Sequence, residues 1–142
     1  MPARSSYDYA VIRVIPRVER QEFINAGVIL HCPELGFLGA RVDLDPQRLA
    51  VLGPHLDLDA VQKHLDLIPL VCAGGDGSGP IGRLGQRERF HWLISPRSTI
   101  IQASPVHSGL CTDPAATLDH LFATLVGRPA PPHATIGRKE FS

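Results

Sequence analysis

The sequence predicts an α+β fold. The expected architecture is a mostly antiparallel β-sheet of about five strands, in the order βββαα–ββα, with helices packed on one face. Three observations predict it. Residues 1–44 carry three segments of β pattern separated by Pro- or Gly-containing turns. Two Asp-Pro pairs, Asp45-Pro46 and Asp113-Pro114, open segments that read as helices. The 13 prolines and 13 glycines of the 142 residues cut the chain into short elements.

Tyr7–Ile15 (YDYAVIRVI) is rich in β-branched and aromatic residues and reads as a strand ended by Pro16. The polar stretch Arg17–Phe23 (RVERQEF) follows, too long for a tight hairpin turn. Ile24–His31 (INAGVILH) is a second strand, with Gly27 marking a bulge or a close backbone approach. After a Pro33–Gly36 turn, Phe37–Leu44 places Leu38, Ala40, Val42 and Leu44 on one face and Arg41 and Asp43 on the other. The three strands form an antiparallel meander with one buried face.

Asp45 caps a short helix that has Pro46 at its first position and Gly53 beyond its end. Asp57 caps a second helix carrying Leu58, Val61, Leu65 and Ile68, and Pro69 is expected to stop or kink it. Ala73–Pro80 (AGGDGSGP) reads as a flexible linker. Phe90–Ser95 (FHWLIS) and Thr99–Ala103 (TIIQA) read as two more strands, and Ser104–Thr112 as a loop. From Asp113-Pro114 a last helix sets Leu118, Leu121, Phe122, Leu125 and Val126 on one stripe, up to Gly127. Residues 1–127 thus read as a single domain and 128–142 as a flexible C-terminal tail.

Fourteen basic against fourteen acidic residues, with pI about 7.1, give no global attraction to nucleic acid or to an anionic membrane. No apolar run approaches the roughly 20 residues needed to span a bilayer, and the start carries no signal-peptide pattern. Three cysteines, an odd number with no C-x-x-C pair, fit a reducing compartment, so a cytoplasmic location is expected. The glycines of Gly74–Gly79 are followed by no Gly-Lys-Ser/Thr, and no G-x-G-x-x-G opens a helix, so no cofactor is expected.

Chemistry concentrates in SPVHSGLCT, residues 104–112. There His107 could activate Cys111, with Ser108 as the alternative nucleophile, in a small hydrolase or transferase. The plainer reading makes Cys111 a small buried hydrophobe and His107 a loop residue. His31, Cys32, His107 and Cys111 are acceptable zinc ligands, but neighbours on a strand point to opposite faces, so no metal is expected. Arg83, Arg87, Arg89, His91 and Arg97 could gather into an anion or nucleotide site, against the simpler account of a solvated charged face. Glu22 and Asn25, beside Arg20, fit a salt-bridged, hydrogen-bonded corner.

The linked segments IPRVERQEFINAGVIL and SPRST…SPVHSGLC carry a resemblance. From about Tyr7 to Val126 the chain resembles the domain-of-unknown-function family numbered 3037, with Ile15 where that family's motif has Val. The resemblance transfers no catalytic residue. It implies a small bacterial accessory or regulatory protein, of a kind often encoded beside HipA-like kinases, and hence a protein partner of that type. Its motif positions are Glu19, Arg20, Glu22, Asn25, Gly27, Arg97, Ser98, Thr99, His107, Gly109 and Cys111. Of these Glu19, Arg20, Glu22, Asn25, Arg97, Ser98 and Thr99 are the expected binding residues, and strand ends far apart in sequence could bring the set onto one surface. Ser98 or Thr99, behind Arg97, is a candidate phosphoacceptor.

Overall fold

The computed structural model describes residues 3–95 and 100–127. Arg97, Ser98, Thr99 and the expected tail 128–142 lie outside them. The class is the expected one, an antiparallel sheet with helices. Strands β1 (Ser5–Arg17), β2 (Glu22–Cys32) and β3 (Phe37–Val42) form the meander. On the other side of β1 pair two short strands, β4 (Ile101–Ala103) and β5 (His107–Cys111). Helices α1 (Pro46–Leu52), α2 (Leu58–Ala73), α3 (Gln86–Ile94) and α4 (Pro114–Leu125) complete it.

The aspartate caps form as their sequence context dictates. Asp45 Oδ1 accepts from the backbone N–H groups of Gln47 and Arg48, and Asp57 Oδ1 from those of Asp59 and Ala60. Asp113 Oδ1 accepts from Ala116, 3.1 Å away. Each bond satisfies a donor that the first helical turn leaves orphaned. Gly27 marks both a bulge and a close approach. The β1–β2 register shifts between Ile12 and Arg13, and a Cβ at Gly27 would lie 2.7 Å from the Arg41 carbonyl oxygen.

Several expectations are corrected. The helices cover both faces of the sheet, not one. Ile24, Ala26 and Ile29 of β2 pack with Leu49 of α1, Leu65 of α2 and Phe90 of α3, whereas Val28, Leu30 and Cys32 pack with Leu118 of α4. β2 is therefore buried on both sides, which is why its sequence runs almost unbroken in apolar residues. Phe90–Ser95 is the end of a helix rather than a strand. Polar helix formers Gln86–Arg89 precede it, and Phe90, Leu93 and Ile94 turn inward at helical spacing. A six-residue apolar run does not separate the two periods. The missing fifth strand is β5, inside the segment expected to be a loop; its side chains are mostly exposed, so it lacks an apolar signature.

β1 also continues through Pro16 to Arg17, which pairs with Glu22, and the connection is one short 3₁₀ turn, Val18–Arg20. α2 runs past Pro69 to Ala73; the proline removes one helical hydrogen bond, and Arg89 holds the carbonyls beyond it. The glycine-rich tract is a tied-down loop, closed by hydrogen bonds from the Gly75 N–H to the Gly82 carbonyl and from Ser78 Oγ to the Gly75 carbonyl.

Candidate functional site

β1 is the axis along which the motif residues are distributed. Its N-terminal half pairs with β5 and its C-terminal half with β4. Tyr9, opposite His107, and Arg17, at the hairpin tip, are eight residues apart, or about 26 Å of strand. Among the described motif residues, Glu19, Arg20 and Glu22 lie at the hairpin end of β1, and His107, Gly109 and Cys111 lie along its other half.

The tip group holds Glu19, Arg20 and Glu22, all exposed. Arg20 Nε lies 2.7 Å from Glu22 Oε1, the predicted corner salt bridge. Gln21 between them has φ +57°, the one non-glycine residue at positive φ among the described residues. Phe23 is 39 % exposed, and the Arg13 guanidinium carbon stands 4.3 Å from its ring centroid. Arg13 Nε is buried without a hydrogen-bond partner, and the stacked ring covers this guanidinium instead. Asn25, paired across β1 with Arg13, serves the fold, since its Nδ2 donates to the Leu125 carbonyl, 3.0 Å away, and ties α4 to the sheet. The Ile15 N–H donates to the Ile100 carbonyl, which fixes residue 100 beside this end of β1.

The β5 group does not bring the candidate nucleophile Cys111 beside the candidate base His107. His107 and Cys111 share one strand, four residues and about 13 Å apart. The His107 ring packs on Tyr9, with centroids 5.3 Å apart, and is exposed; Cys111 is buried among Val28, Leu30, Cys32 and Leu118. Burial pushes the Cys111 thiol up, and the neighbouring Cys32 pushes it further, the reverse of activation. Ser108 Oγ instead donates to Asp8 Oδ1 at 2.6 Å. Asp8 is in turn the cross-strand neighbour of His31, which gives a row Ser108–Asp8–His31 across three strands with the carboxylate in the middle.

His31 and Cys32 face opposite sides of the sheet, as strand alternation requires. The His31 ring lies 5.0 Å from Phe90 on the α1–α3 side, and Cys32 joins Cys111 on the α4 side. Among the described residues no group of three or more His, Cys, Asp or Glu is placed to hold a metal. Of the arginine group, Arg97 lies outside the described residues, and Arg89 is committed to the fold. Arg89 Nη1 donates to the Val71 and Cys72 carbonyls at 2.8 and 2.6 Å, and its Nε to the Leu84 carbonyl, so it caps α2 and pins the glycine loop. Arg87 and His91 stay exposed on α3.

Sequence reasoning missed Phe23, Arg13 and Asp8. Their signal is lateral, across strands, and only the register supplies it. Phe23 alone left a trace, an aromatic directly before the apolar phase that opens at Ile24.

No curated protein and no solved structure matches the chain. The family described as protein of unknown function, DUF3037, matches residues 9–126, from the strand carrying Tyr9 to the end of α4. That span holds both motif groups and all four helices, and the chain belongs to the DUF3037 family of proteins of unknown function.

Proposed function

We propose that this chain is a protein-binding accessory subunit that engages its partner through the β1–β2 tip. One observation carries the reading: an exposed Phe23 stacked on the Arg13 guanidinium, at the strand end that follows the exposed Glu19, Arg20 and Glu22 in sequence. An exposed aromatic stacked on an arginine is the composition of a protein-binding hot spot. The ion pair at the tip contributes little to folding, because an exposed pair is worth less than about 1 kcal/mol. Its charges are therefore available to set the orientation of a partner.

The resemblance implies a HipA-like kinase as that partner, and this is the partner class to test first. A tagged chain at native expression, recovered and read by mass spectrometry, is expected to bring down a stoichiometric kinase. Phe23→Ala and Arg20→Glu are expected to lose it while keeping the wild-type circular dichroism. Recovery of the chain alone, or equal capture by the folded variants, overturns the reading.

A further inference from the structure

On the face away from α4, a cavity of about 290 Å³ opens between α2, α3 and β4. Its floor reaches Ile12 and Ile29, which are 2 % and 1 % exposed, so it extends to the sheet itself. Ile68 and Val71 wall it from α2 and Leu93 from α3. Among the described residues the polar groups of the lining are few, and none is a carboxylate, ammonium or guanidinium: His64, Ser95, Gln102 and the indole of Trp92. Ser95 Oγ is already committed to the His91 carbonyl at 2.6 Å.

Three features define what such a space takes. An apolar cavity of about 150 Å³ stays dry and accepts benzene; this one has nearly twice the volume, enough for two fused rings. With no carboxylate, ammonium or guanidinium among the described lining residues, a charged molecule gains little in exchange for its lost hydration, which favours a neutral occupant. Two ring side chains on different helices, His64 on α2 and Trp92 on α3, line the space, a composition suited to a flat guest. A few polar groups in an otherwise apolar lining is the usual pattern of a small-molecule site. We propose that this cavity binds a neutral, planar, fused-ring aromatic molecule bearing one hydrogen-bonding group. The site is separate from the tip and stands independently of the partner reading.

The chain's single tryptophan gives one side-chain indole N–H resonance, a reporter built into the lining. Titrating the full chain with free indole is expected to move that resonance saturably, together with the amides of Ile68, Val71 and Ala103. Naphthalene-2-sulfonate, which has two fused rings and a charge, is expected to leave them unmoved. Ala103 lies directly opposite Ile12 and faces the cavity, so Ala103→Leu fills it and should weaken indole at least tenfold. Leu67→Ala, which changes only the lining contributed by an exposed leucine, should weaken it a few-fold, and Leu110→Ala on β5 should leave it unchanged. The proposal is overturned if wild type shows no saturable shift up to the solubility of indole, or if Leu67→Ala and a folded Ala103→Leu titrate like wild type. It is equally overturned if indole has no effect while Ala103→Leu loses a protein partner, which would make the cavity a protein-docking site.

Discussion

Tyr7 lies over Gly109: the two residues are paired across β1 and β5, and a Cβ on Gly109 would fall 2.6 Å from the tyrosine oxygen. The glycine of the H-x-G-x-C segment thus exists to seat a ring, which packs in the cluster under α4. Burial raises the Tyr7 phenol above its ordinary value, with Tyr9 and Cys111 adding to it, so the side chain is neutral at neutral pH. Gly109→Ala must displace that ring. A loss of about 1–3 kcal/mol is expected, the usual cost of overpacking a fitted site. Urea denaturation should show the lower midpoint with an unchanged slope, and Tyr7→Ala should reduce the penalty of the second change, since the two are coupled. Additive losses would refute the contact.

His31 makes stability fall with acid. Its imidazole is buried under Phe90, and burial lowers its affinity for a proton; Asp8 works in the opposite sense, while His91 and Arg87 on α3 add to the lowering. In the unfolded chain it titrates near the ordinary value of about 6.5. The folded state binds that proton less well, so the stability is fully present above about pH 6.5 and is lost as pH falls below it. Other groups also titrate there, and the readout is a difference. Chemical denaturation from pH 7.5 to 5 is expected to show a shallower decline for His31→Leu than for wild type. Parallel curves would show that His31 does not contribute.

These two relationships also mark what is legible in the sequence. Asp45-Pro46, Asp57 and Asp113-Pro114 announce three helices because a cap is a local device, complete within four residues. Leu38, Ala40, Val42 and Leu44 announce the buried face of β3 for the same reason, and all four pack where expected. β5 escapes notice because its strand character comes from β1, a hundred residues earlier, and its own residues carry no alternation. α3 reads wrongly as a strand because FHWLIS fits both periods, and the deciding residues, Gln86–Arg89, stand outside it. The site is less legible still. Arg13 and Phe23, or Asp8 and Ser108, meet only through register, and the alternative Cys111–His107 pair is kept apart by a distance that strand geometry sets. The cavity under α2 has no sequence signal, since its lining is ordinary core residues.

Arg89 is the strongest single tie outside the sheet. Its guanidinium serves three carbonyls, of Val71, Cys72 and Leu84, and joins the end of α2 to the glycine loop and α3. A fork of donors in one plane does this, and an ammonium does not. Arg89→Met should cost about 1.5–3 kcal/mol, the range for a charged hydrogen bond whose acceptors are left part-buried. Arg89→Lys is expected to recover less than half of it. Amide exchange should place the damage at residues 71–84, and full recovery by lysine would show that only the charge matters.

The cysteines should behave as structural groups. Burial pushes the Cys72 thiol up to about 12, against which nearby Arg89 is a smaller, lowering influence, and Cys111 is raised by burial and by Cys32. The thiolate is the reactive form, so at pH 7.5 almost none is present at either position. Cys32 is fully buried and shielded by access alone. The folded chain is expected to react with iodoacetamide at least tenfold more slowly than an exposed thiol, and all three sites should be labelled at once in guanidinium. A thiol in the native chain that alkylates faster than a free one would restore the catalytic reading of Cys111. The same experiment on His107→Ala would tell whether the imidazole takes part, and with the two side chains about 13 Å apart along one strand no change in rate is expected.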